Sequence, residues 1–292
     1  MIPIHDDNPT HIQPYVTWTI IAICVCVFLW QFSLGGQGHR IVLSLGLIPS
    51  NLMGTRVLPP ELILIPAWAS IITSMFMHGG WMHLIGNMVY LWVFGNNVED
   101  AMGHKRFIAF YLLSGLGAAA GQILADPSST VPMIGASGAI SGVLGAYLLL
   151  YPHARVTILL WFGFLIYPIK IRALWVLGIW IGLQFFNAAG DNGGGGVAWW
   201  AHIGGFVAGM ALIPFFRYRH VPMFGHGKET HKPVAVAKPF SVSRRRSTGA
   251  SAIPTTGGAW VKRNRPRGPW GPRGPKDNKG PRGHKGPRGP KR

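Results

Sequence analysis

Three short stretches hold side chains whose types and spacing suit chemistry. The first, Gly135-Ala-Ser-Gly-Ala-Ile-Ser-Gly142, sets one hydroxyl, Ser137, near the start of a segment with no Asp, Glu, Lys or Arg from Pro127 to Ala154. The second, Trp199-Trp-Ala-His-Ile-Gly-Gly-Phe-Val-Ala-Gly209, carries His202. The third, His83-Leu-Ile-Gly-Asn87, puts two hydrogen-bonding side chains on one face of a helix. A neutral serine is a weak nucleophile and needs a base. An imidazole serves, because it titrates near neutrality. Attack on an amide also needs donors aimed at the developing oxyanion. A serine at a helix N-terminus has free N–H groups and the positive dipole end beside it, so the Ser137 N–H is the natural first donor. His83 and Asn87 could reach the same oxygen from the opposite side.

Each residue alone has a plainer reading. Serine among small residues packs membrane helices, and a lone asparagine bonds one helix to the next. A lone intramembrane histidine can simply bond a neighbour. His78 and His83 are five apart, off one helical face, and no Cys or acidic cluster joins them, so a metal is not expected. Position 139 is Ala, which excludes the G-x-S-x-G hydrolase elbow.

The elements that must position these residues are apolar and long. A helix needs roughly 20 apolar residues to cross about 30 Å of hydrocarbon. Charges end the spans, which gives Thr17–Leu34, Gly80–Val98, Phe107–Ala125, Ser137–Tyr151, Ala173–Ala189 and Val197–Phe216. Leu62–Met77 is apolar too and reads as a partly embedded approach to the second span. Val156–Ile169 has only 14 residues and reads as interfacial or re-entrant, with a seventh span as the alternative. The fold class is therefore an all-α membrane protein, divided into a segment 1–16, a membrane domain 17–216 and a tail 217–292.

Basic residues in short loops set the orientation. Lys105 and Arg106 join spans 2 and 3, and Arg155, Lys170 and Arg172 join spans 4 and 5. A six-span count puts these on one side with the basic tail, and both termini in the cytoplasm. Spans 2, 4 and 6 then all enter from the outer side. His83, Ser137 and His202 lie at one shallow depth. A seventh span at Val156–Ile169 would move His202 to the other side.

The set His83-x-x-x-Asn87, Gly135-Ala-Ser137-Gly138 and Ala201-His202-x-x-Gly205-x-x-x-Gly209 resembles the rhomboid family of intramembrane serine proteases, over roughly Trp18 to Phe216. The resemblance implies a six-helix rhomboid-like bundle and a Ser–His dyad without a cofactor. It makes Ser137 the nucleophile, His202 the base, and His83 and Asn87 the oxyanion residues. It also matches Gly205 and Gly209 to small positions that pack span 6 on span 4. Glu99 matches an acidic position ending span 2, structural or merely solvated. Two features depart from the family pattern. Ser141 stands where an aromatic often packs on the base, and either bonds His202 or fills space. No Trp-Arg pair occurs in the first outer loop.

Location implies the partners: the lipid bilayer and single-span protein substrates with small or helix-breaking residues near their outer ends, cleaved in a bacterial inner membrane. The loop Asn187–Gly196, with four successive glycines, reads as a mobile cap or a plain linker. Cys24 and Cys26 read as buried inert thiols. No basic region precedes the first apolar run, so neither a cleaved signal peptide nor a transit peptide is expected.

Residues 1–216 hold 7 Lys/Arg and 7 Asp/Glu, whereas 217–292 hold 20 and 2, so the formal +18 belongs to the tail. Its interrupted Gly-Pro-Arg triplets resemble collagen but repel one another, and a disordered cationic segment that meets anionic lipid or nucleic acid is expected. The rival functions are a catalytically inactive relative that binds membrane helices, and a membrane-anchored nucleic-acid binder.

Overall fold

A computed structural model describes residues 2–162, 165–191 and 196–225, with side chains at 161, 162, 165 and 166 left aside. Six helices form a bundle: α1 (Tyr15–Ser33), α2 (Trp81–Met102), α3 (His104–Ala125), α4 (Ser137–Leu150), α5 (Ala173–Gly190) and α6 (Trp199–Phe216). Their starts and ends fall within four residues of the expected spans. Four of them, α1, α3, α5 and α6, are long and apolar enough to cross a membrane unaided. α2 joins them when counted with Pro60–Phe76, from which it bends by 78°. That bent segment is the apolar approach, built of short helical turns at Pro60–Leu62, Ala67–Ala69, Ser70–Thr73 and Ser74–Phe76. At 14 residues α4 is the shortest of the six, about 21 Å at 1.5 Å per residue against about 30 Å of hydrocarbon. The chain is an integral, multi-pass membrane protein.

The stretch 156–169 is neither a helix nor a re-entrant segment. It forms an antiparallel hairpin of β2 (Arg155–Phe162) and β3 (Leu165–Arg172), and β1 (Ile2–Asp6) pairs with β2 to complete a three-stranded sheet. Its residues are β-branched and aromatic, and along β2 burial alternates: Val156 and Ile158 are buried, while Arg155 is exposed. Pro168 has no N–H to give and sits on the edge strand β3. An open edge cannot lie against hydrocarbon, so the sheet belongs to the interface, and a seventh span is excluded.

α6 is held against α4 by the absence of side chains. A methyl group added at Gly205 would overlap the Gly138 carbonyl oxygen, and one at Gly209 would overlap that of Gly142. The two backbones therefore touch directly. Gly204 and Gly121 meet in the same way across α6 and α3, where a methyl on Gly204 would lie 2.9 Å from the Gly121 Cα.

The end of α4 remote from Ser137 is tied by acids. Glu99 is fully buried and takes the Val16 and Thr17 N–H groups at 2.9 and 2.8 Å, so it satisfies orphan donors in the first turn of α1. It also accepts the Thr17 hydroxyl at 2.7 Å and pairs with His104 at 2.6 Å. Its role is structural, not that of a solvated helix end. Asp100 accepts the His11 and Ile12 N–H groups. Asp6 of β1 accepts the Tyr147 hydroxyl and the Asn97 amide.

The chain does not leave the body at residue 217. Tyr218 N–H bonds the Ala101 carbonyl, and Val221 is fully buried. Phe224 and Gly225 N–H groups cap the Leu149 and Leu150 carbonyls at the end of α4. The ordered chain therefore runs at least nine residues past the expected boundary; the rest of the expected tail, 226–292, lies outside the described residues. Cys24 is buried but Cys26 is exposed, so only the first matches its expected burial.

Two measurements check this packing. Gly205→Val should lower the thermal midpoint by the equivalent of about 1–3 kcal/mol or more, because backbone cannot yield as a side chain does. Gly182→Ala, with nothing within 4 Å, should change stability by less than about 0.5 kcal/mol. The second concerns Asp6, whose burial pushes its carboxyl up to about 7 against the Tyr147 hydrogen bond that lowers it. The folded state then keeps a proton that the unfolded chain releases near 3.8. This contribution is complete below that value and is lost as pH rises through about 7. The thermal midpoint of the parent should fall between pH 5 and pH 8 more than that of Asp6→Asn.

Candidate active site

Ser137 is the first residue of α4, and the turn before it decides what surrounds it. Gly135 has φ +120°, a conformation that favours glycine. A methyl group there would lie 2.7 Å from His83 Nε2 and 3.5 Å from Asn87 Nδ2, so only glycine lets the main chain pass both side chains. The first interhelical loop holds this turn in place. Leu47 and Met133 exchange N–H···O bonds at 3.1 and 2.7 Å, and Gly135 N–H donates to the Ser74 carbonyl at 2.9 Å.

Ser137 and His202 come from different helices. His202 Nε2 lies 2.9 Å from Ser137 Oγ. Both line a cavity of about 670 Å³ together with His83 and Asn87, so all four expected site residues face one space. Small side chains make up much of its wall, among them Gly115, Ala118, Gly138 and Ala201.

One donor in this space has a direction fixed by its neighbour, and a second has no partner. His83 Nδ1 accepts the Gly79 N–H at 3.3 Å, which leaves the proton of the neutral ring on Nε2, the atom near Gly135. Asn87 Nδ2 is buried with no partner. An unpaired buried donor costs about 1–3 kcal/mol, and an arriving oxygen would recover it. The Ser137 hydroxyl, the His83 and Asn87 side chains and the N-terminus of α4 thus share one space. Such an arrangement suits nucleophilic attack on a carbonyl.

Ser141 does not reach His202. It is fully buried, and its hydroxyl donates to the Ser137 carbonyl at 2.6 Å, so it stays within its own helix. The aromatic surface beside the base comes from elsewhere. Trp180 of α5 lies 5.9 Å from the imidazole centroid, and Trp199 packs edge-on at 6.2 Å. Sequence reasoning also missed Gln184, whose Oε1 lies 2.8 Å from His202 Nδ1. The available signal was its place as the lone polar side chain between Ala173 and Phe186. The loop expected as a cap retains Gly196 on the cavity wall, but residues 192–195 lie outside the described residues.

Fold and site together define a helical membrane protein with a Ser–His pair in a recessed, donor-lined cavity. Residues 66–219 match the family model of the rhomboid domain. The chain is 36% identical to RHOMBOID-like protein 5 of Arabidopsis thaliana over 56% of its length. It is 33% identical to Rhomboid protein 1, mitochondrial, of Saccharomyces cerevisiae over 67%, and 31% identical to Rhomboid protease GluP of Bacillus subtilis over 68%. The matched regions make up 52%, 51% and 34% of those relatives' own lengths. The chain belongs to the rhomboid family.

Proposed function

We propose that the chain is an intramembrane serine endopeptidase. The observation that carries this is the 2.9 Å approach of His202 Nε2 to Ser137 Oγ inside a cavity that also holds two donors with no competing role. The family holds proteases and inactive members alike. Retention of both reacting groups in bonding geometry favours the protease over a helix-binding relative.

The reaction balances with the groups present. Ser137 Oγ attacks the scissile carbonyl carbon while its proton passes to His202 Nε2. The carbonyl oxygen becomes an oxyanion that accepts from the Ser137 N–H, His83 Nε2–H and Asn87 Nδ2–H. Collapse breaks the C–N bond, and His202 returns the proton to the leaving amine. Water then attacks the acyl-enzyme and gives a proton to His202; collapse breaks the ester C–O bond, and His202 returns that proton to Ser137 Oγ as the acid leaves.

Location sets the substrate class. α4 spans about 21 Å of about 30 Å, which supports a first residue recessed below the membrane surface. A substrate helix must unwind to present a carbonyl there, because helical amides are already bonded. The small wall residues suit small side chains next to the cleaved bond. The positions of Lys105, Arg106, Arg155, Lys170 and Arg172 support cytoplasmic termini and a site opening to the outer face of a bacterial inner membrane. The cationic segment 217–292 suits anionic lipid on the cytoplasmic face.

The deciding assay uses the full chain in liposomes with a single-span test protein bearing small residues near its outer end. The parent should cleave it, and Ser137→Ala and His202→Ala should each fall at least about 10³-fold. Cleavage that survives Ser137→Ala would reject the reading, and a parent that binds the substrate without cutting it would favour the inactive relative. Asn87→Ala should lower kcat by about 10²-fold with KM little changed, since its donor is used only once charge develops.

A further inference from the structure

Gln184 is a buried amide on α5, a helix that supplies none of the four residues above. Its Oε1 lies 2.8 Å from His202 Nδ1, and its Nε2 donates to the Trp180 carbonyl at 3.2 Å. The second contact fixes which way the amide faces, because a reversed amide would set two oxygens against each other at Trp180. An amide oxygen can only accept, so the proton of the neutral imidazole must be on Nδ1. Nε2 then bears the lone pair, and it is Nε2 that faces Ser137 Oγ.

We propose that Gln184 is the positioning residue of the base: it holds His202 in the Nδ1–H tautomer and in the ring orientation that lets Nε2 take the serine proton. This rests on the dyad reading and deepens it from two residues to three. In soluble serine hydrolases a carboxylate fills the corresponding place. A carboxylate buried among apolar helices would carry a desolvation cost of several kcal/mol, which a neutral amide avoids while keeping the acceptor. As the imidazolium forms, the amide dipole also points its negative end at the new charge. Among the described residues, His83 is the other titratable side chain on the cavity wall, and it faces the acyl-oxygen position rather than Nδ1.

The test separates an acceptor for His202 from a mere tie within α5. In the liposome assay, Gln184→Leu should lower kcat about 10- to 100-fold, part of the roughly 10²–10⁴ that a placed acid–base group contributes, with KM within about 3-fold of the parent. Gln184→Glu, its carboxyl held neutral among apolar helices, keeps an oxygen for Nδ1 and an O–H for the Trp180 carbonyl. It should recover at least about 10-fold over Gln184→Leu. Unchanged kcat in Gln184→Leu, or Gln184→Glu no better than Gln184→Leu, would overturn the proposal. If Gln184→Leu fails to fold, the parent still decides. Histidine ¹⁵N spectra of the full chain, with His202 assigned by loss of its signal in His202→Gln, should show the proton on Nδ1, and a proton on Nε2 would overturn it. Cleavage surviving Ser137→Ala would remove the dyad reading but leave the tautomer result standing, so the two failures are distinguishable.

Discussion

The direct contact of the α4 and α6 backbones is the constraint on which the rest depends. Helices separated by ordinary side chains have axes about 8–10 Å apart. Here Gly205 faces the Gly138 carbonyl and Gly209 faces that of Gly142. Ser137 immediately precedes the first of these α4 positions, and His202 lies three residues before Gly205. Main-chain contact therefore sets how closely the turns that carry the hydroxyl and the imidazole approach. Without a hydrophobic driving force between helices in lipid, such close packing is also what holds α6 to the bundle. Stability and site geometry thus share one cause.

The two ends of α4 treat polar groups in opposite ways. At the end away from Ser137, Glu99 and Asp100 take backbone N–H groups at the beginning of the chain, and Asp6 takes two side-chain donors. At the Ser137 end, Asn87 Nδ2 is buried without a partner and His83 Nε2 points past a glycine. The contrast lies in the acids, since Asn8 and Asn97 near the far end keep buried amide oxygens without a partner as well. On the proposed reaction, the unmet hydrogen bond of Asn87 Nδ2 is available to an oxygen that arrives with the substrate.

How much of this was legible in the sequence follows from how local each signal is. Ser137, His202, His83 and Asn87 could be read because glycine spacing and one inferred depth tied them together. The spans could be read because charges end them. The sheet was hidden: alternation shows only at the outer ends of the hairpin, in Arg155-Val-Thr-Ile158 and Ile169-Lys-Ile-Arg172, and the apolar stretch between them does not separate strand from helix. That the packed body continues past residue 216 was hidden too, since the bonds from Phe224 and Gly225 to the last carbonyls of α4 are tertiary and leave no mark on composition. Gln184 was visible as a lone polar residue in an apolar span, but its partner follows 18 positions later on another helix.

The two imidazoles at the cavity show why their neighbours matter more than their identity. His83 and His202 are the same side chain lining the same cavity, yet the proposed reaction asks opposite things of their Nε2 atoms. The Gly79 N–H occupies Nδ1 of His83, so Nε2 carries a proton and donates. The Gln184 oxygen occupies Nδ1 of His202, so on the assignment above Nε2 carries a lone pair and accepts. On the proposed reaction, one backbone donor and one side-chain acceptor therefore separate the oxyanion donor from the base, with no buried ion. In hydrocarbon, where each uncompensated charge is costly, dividing the roles by tautomer rather than by charge is the cheaper arrangement.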